Sequence, residues 1–153
     1  MKKWFNVAVF GFLSMFLTGF ASMGPTPTGL KDGKLEPCPD APHCVSTQSA
    51  NPEQFIEPLA YPAGAGKEVL MEKLLTHVES MKRTKVVSAT DQYLYFQVSS
   101  LIMRFKDDVE VYFDDQARLI HFRSSSRLGY YDFEVNRRRV EALKGFLTAS
   151  AGK

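Results

Sequence analysis

The feature that most constrains this chain is a pair of strand-like runs joined by almost nothing. "LIMRFKDDVEVYF" (101–113) and "RLIHFRSS" (118–125) are rich in β-branched and aromatic residues, and only "DDQA" separates them. A connection this short forces antiparallel pairing, because a parallel return needs a crossover of a dozen residues or more. With Asp115 and Gln116 as the central turn residues, Val111 is expected opposite Ile120 and Val109 opposite Phe122. The other face then sets Glu110 against His121 and Asp108 against Arg123, so apolar meets apolar and acid meets base. A slip of one residue would destroy both matches.

The neighbouring segments extend the sheet. In "QYLYFQVS" (92–99), Leu94, Phe96 and Val98 alternate with Tyr93, Tyr95 and Gln97, the pattern of a half-buried strand. "TKVVSA" (84–89) precedes it, and "QFIEPLAY" (54–61) is a further short strand that Pro58 confines to an edge. Two segments carry helical spacing instead. Val69, Leu70, Leu74 and Val78 predict an amphipathic helix over 66–81, with His77 beside the stripe as a packing or surface residue. In "DFEVNRRRVEALKGFL" (132–147), Asp132 is the candidate N-cap, Glu134 suits the first turn, and Val140, Leu143 and Leu147 form the inward stripe. The expectation is a single α+β domain over 37–150. Its antiparallel sheet has about four to five strands, with two helices packed on one face.

The N-terminus sets the compartment. Lys2 and Lys3 precede an apolar run from Trp4 to Phe20, and Gly19, Phe20 and Ala21 offer a cleavage site, so 1–21 reads as a secretory signal peptide. About 17 apolar residues is also the lower edge of a spanning helix, which leaves an uncleaved inner-membrane anchor as the alternative. Residues 22–36, rich in Pro, Gly and Thr, read as a flexible leader. The full chain has 19 basic and 17 acidic residues; without Lys2 and Lys3 the two are equal. A neutral domain is a poor nucleic-acid binder, since phosphate recognition needs a basic excess. Membrane contact is expected only through the N-terminal segment, if it is uncleaved.

Cys38 and Cys44 are the only cysteines. Export and an even count favour a disulfide between them, with Pro39 and Pro42 bending the loop. A metal site with His43 and Asp40 and a thiol redox centre are the other readings, although the spacing is not C-x-x-C. The disulfide is preferred, and no metal or cofactor is expected.

Three motifs then resemble one family. "PCPDAPHCVST", "DDVEVYF" and "RSSSRLGYYDFEVNRRRVEAL" are similar to the pattern of the domain of unknown function 1499 family. The residues carrying the resemblance are Cys38, Cys44, Val45 and Ser46, then Asp107, Asp108 and Glu110, then Ser126, Arg127, Gly129, Asp132, Asn136, Arg137 and Arg139. His43 departs from it, since the family more often has Asn there. The resemblance implies an envelope protein of a bacterium or plastid, and implies no reaction.

Candidate sites follow from alternation. Arg123, Ser125 and His121 share the non-core face with Asp108, Glu110, Tyr112, Tyr93 and Tyr95, and an open, solvated face of cross-strand ion pairs is expected. The competing reading is a shallow pocket for a small polar or anionic ligand, with Arg123, Arg127, Arg137 and Tyr130 as its candidate residues. Arg127 and Arg137 flank the start of the last helix, where Asp132 is the expected occupant of the free amides. Asp107 points to the core side, and a structural network of Asp107, Ser124, Asn136 and Arg139 is expected to tie helix to sheet. None of the familiar catalytic motifs is present, and no catalytic residue is assigned. A Ser125–His121 pair is the one conceivable nucleophile and base. The expected function is an exported, periplasmic envelope protein that binds a partner or supports structure. The alternative is a periplasmic hydrolase using the polar sheet face.

Overall fold

The computed structural model describes residues 28–102 and 104–150. The expected signal peptide and the first part of the leader, 22–27, lie outside the described residues. The rest of the leader is built into the fold. Leu30–Lys31 (β1) and Lys34–Leu35 (β2) form a small antiparallel hairpin, and Leu35 is buried.

The remaining elements are Cys44–Ser46 (β3), Leu59–Ala60 (β4), Lys67–Ser80 (α1), Thr84–Ala89 (β5), Tyr93–Ser99 (β6), Lys106–Asp114 (β7), Leu119–Ser126 (β8) and Val135–Ser150 (α2). Strands run in the order β3-β8-β7-β6-β5, with β4 also paired to β8, and every pairing is antiparallel. The class is α+β, with six strands in the main sheet rather than four or five. Leu70, Leu74 and Val78 of α1 and Val140, Leu143 and Leu147 of α2 share one core with Leu94, Phe96, Val109, Val111 and Phe122. Both helices thus lie on one sheet face. The expected strand at 54–61 shrinks to Leu59–Ala60, preceded by an isolated parallel bridge from Ser46 to Phe55.

The hairpin register differs from expectation by two residues. Val111 faces Phe122, Phe113 faces Ile120, Glu110 faces Arg123 and Asp108 faces Ser125. The turn explains the shift. Asp114 Oδ1 accepts hydrogen bonds from the amides of Gln116 (3.0 Å) and Ala117 (2.9 Å), and Arg118 takes a positive φ of 57°. The loop therefore uses residues 115–118 rather than a two-residue turn. Arg118 also lies 4.6 Å from the Tyr61 ring centroid, which pins the turn against β4. A shift of two keeps every side chain on its face, because the strand period is two. The partners change; the faces do not.

Candidate functional site

The polar sheet face is not open to solvent. Asp108, Glu110, Arg123 and Ser125 are all fully buried. The cover on this face includes the β1–β2 hairpin and the chain that follows it. Leu30 and Leu35 pack on Tyr93 and Tyr112, and Gln48 holds the hairpin by accepting from Leu35 N (2.8 Å) and donating to Gly33 O (3.0 Å).

Two ion pairs organise the space beneath. Arg123 Nη1 donates to Glu110 Oε2 at 2.7 Å, while Tyr93 Oη (2.6 Å) and Gly29 N (2.7 Å) donate to Glu110 Oε1. Arg123 Nη2 also reaches Pro37 O at 3.4 Å. Arg127 grips Asp108 with two bonds of 2.8 Å, and Tyr95 Oη donates to the same carboxylate at 2.7 Å. Burial, and then the hydrogen bond to Glu110, raise the Tyr93 pKa, so its phenol stays a donor. The hydrogen bonds to Asp108 raise that of Arg127. The expected pairs Asp108–Arg123 and Glu110–His121 are replaced by Glu110–Arg123, which the shifted register sets opposite each other, and by Asp108–Arg127, with Arg127 just beyond the end of β8.

His121 faces Tyr112 instead, with the rings stacked at 5.9 Å, and its Nδ1 lies 3.0 Å from Thr47 Oγ1. Burial lowers its pKa from the ordinary 6.5, outweighing the opposing pull of Asp114. The unfolded chain therefore binds a proton before the folded one does. The contribution of this site to stability is present above about pH 6.5 and is lost as the pH falls below it. Denaturant midpoints measured across this range should decline toward acid in the wild type, and less steeply in His121→Gln. Equal slopes would rule His121 out as the source. His121 and Ser125 are four residues apart on β8, about 13 Å along the strand, so they do not form a nucleophile and base.

A second cluster lies on the core side, around Asn136. Its Oδ1 accepts from Ser124 Oγ (2.5 Å) and Arg139 Nη1 (2.6 Å), and Arg139 Nη2 donates to Asp107 Oδ2 at 2.6 Å. Its Nδ2 contacts His43 O (3.0 Å), Ser126 Oγ (3.0 Å) and Asp132 Oδ2 (2.8 Å). The structure thus brings Asp107, Ser124, Asn136 and Arg139 into one network, and extends it to the loop closed by the Cys38–Cys44 disulfide. Gln54 ties down the other side of that loop through Pro39 O (2.7 Å) and Ala41 O (3.1 Å). Sulfurs bonded to each other have no thiolate to offer a metal. Among the described residues, no group of His, Cys, Asp and Glu is placed to hold one.

The anion candidates do not converge. Arg123 and Arg127 are bound by carboxylates, and Arg137 donates to Phe55 O (3.0 Å) and Glu53 O (2.9 Å). Tyr130 is exposed beside Asp40 and Glu53. The helix start is taken by Asp132, whose carboxylate accepts from Glu134 N and Asn136 N, both at 3.0 Å. Phe133 and Glu134 adopt positive φ, so α2 begins only at Val135. A groove of about 760 Å³ lies between the β1–β2 hairpin and residues 46–54, bordered by Gln48 and Gln54. Thr47, Gln48 and Gln54 carry no local signal of these roles, since their partners are distant in sequence.

Fold and site together define a disulfide-looped α+β domain with a buried, ion-paired sheet face. The chain belongs to the family described as protein of unknown function (DUF1499), which it matches over residues 34–147. No curated protein matches it, and no solved structure does.

Proposed function

We propose that this is an exported envelope protein, periplasmic or anchored facing the periplasm, that acts as a non-catalytic binding or structural-support module. The observation that carries the reading is the pairing on the polar face: Glu110 with Arg123 and Tyr93, and Asp108 with Arg127 and Tyr95. A hydrolase using this face would need an acid or base free to meet a substrate. Both carboxylates are instead buried and engaged by arginines, Glu110 beneath the N-terminal segment and Asp108 beside Tyr95. The disulfide supports an oxidising compartment, as does the apolar N-terminal sequence. The groove beside the hairpin is the proposed contact for an envelope protein or a small polar or anionic ligand.

The test is fractionation of the tagged full chain in a bacterial host, followed by thiol counting and native purification. The expected result is an envelope fraction with no free thiol and a co-purifying partner or small molecule. A cytoplasmic chain with both thiols free would overturn the location. Turnover of an ester, phosphoester or peptide substrate that is lost in Glu110→Gln would replace the module with an enzyme.

A further inference from the structure

One end of the sheet gathers features that are scattered in the sequence. Ser99 pairs with Lys106, Asp107 with Ser126 and Thr84 with Val98. The β6–β7 loop, the β8–α2 loop and the start of β5 therefore share that end. The β6–β7 loop exposes Leu101 (71%), Ile102 (85%) and Phe105. Beside it is a recess of about 510 Å³ bordered by Arg83, Lys85, Arg104 and Lys106, with no acidic residue in its lining. None of these four cations makes an ion pair among the described residues. The β8–α2 loop exposes the rings of Tyr130, Tyr131 and Phe133 at the same sheet end but apart from the four cations, with Asp40 and Glu53 beside Tyr130.

We infer that this end docks on an anionic lipid surface, with Leu101 and Ile102 entering the acyl boundary and Arg83, Lys85, Arg104 and Lys106 meeting lipid phosphates. Aliphatic loop tips ringed by basic residues combine apolar burial with attraction to negative headgroups. Exposed aromatic rings suit the interfacial layer. Gly29 bonds Glu110 in the middle of β7, and the β1–β2 hairpin then runs toward Tyr112, away from these loops, and leaves them uncovered. This contact is separate from the groove proposed above and does not depend on what that groove holds.

The test places one indole at the loop. The full chain carrying Trp4→Phe and Ile102→Trp is mixed with phosphatidylglycerol–phosphatidylcholine vesicles, and the emission of the indole is followed. Trp4→Phe with Gln116→Trp, in the loop at the opposite sheet end, is the control. The expected result is a blue shift at 102, quenched by brominated acyl chains, with no shift at 116. Arg104→Glu with Lys106→Glu should weaken that response about tenfold or more. An unshifted indole at 102 on vesicles that carry the chain would overturn the inference. So would an equal response on pure phosphatidylcholine. A shift without vesicles that grows with protein concentration would also overturn it, assigning the face to a second copy of the chain.

Discussion

Arg123→Ala is expected to lower the stability of the domain by about 3–5 kcal/mol, the usual cost of leaving one partner of a buried ion pair alone. Arg123 and Glu110 are both fully buried, and their 2.7 Å contact has no water-exposed edge to relax into. Alanine would strand the Glu110 carboxylate with only Tyr93 Oη and Gly29 N as donors. It would also remove the Pro37 contact, so the hairpin over the face should loosen. Thermal or urea unfolding measures the loss, and faster amide exchange at residues 29–37 reports the hairpin. The double replacement Arg123→Met with Glu110→Leu should recover much of the stability, because it removes both charges together. Arg123 Nε has no partner among the described residues, so the native pair is already incompletely satisfied. A single mutant as stable as the wild type would show that the pair is not what holds this face.

Asn136→Ala is expected to have a similar effect by another route. The amide joins β8, α2 and the disulfide loop, so its removal leaves Ser124 Oγ, Ser126 Oγ and His43 O short of partners in a buried site. Each buried polar group left unsatisfied costs about 1–3 kcal/mol. A melting temperature lower by roughly 10–20 °C follows from a few kcal/mol in a domain of this size. Asn136→Asp separates geometry from hydrogen-bond chemistry. It keeps the acceptor for Ser124 and Arg139, but sets a carboxylate against Asp132 and His43 O, and should also destabilise. A melting temperature unchanged in both variants would mean that Asn136 is not the hub.

Much of the architecture was legible because local alternation and helical spacing are physically strict. Leu94, Phe96 and Val98 announced β6, and Leu70, Leu74 and Val78 announced α1 within a residue at either end. Asp107 and Asn136 stood out as polar residues on apolar faces, and such residues must find partners. The register was less legible, because the Asp114 side chain builds a longer loop than a two-residue turn would. The anion-site reading of Arg123, Arg127, Arg137 and Tyr130 failed to converge because strand neighbours and backbone carbonyls took the arginines first.

The amino-acid sequence by itself determined the antiparallel sheet, the face each strand residue occupies and the two helices behind it. Those are properties of neighbours along the chain. Only the tertiary structure decided that the polar face is buried, since Gly29 reaches Glu110 across 81 residues and Pro37 reaches Arg123 across 86. It alone decided which acid meets which arginine, because a slip of two residues leaves every face unchanged and is silent in the alternation. It also brought Leu101 and Ile102 to the same end as Arg83 and Lys85, through a strand pairing that no local pattern records.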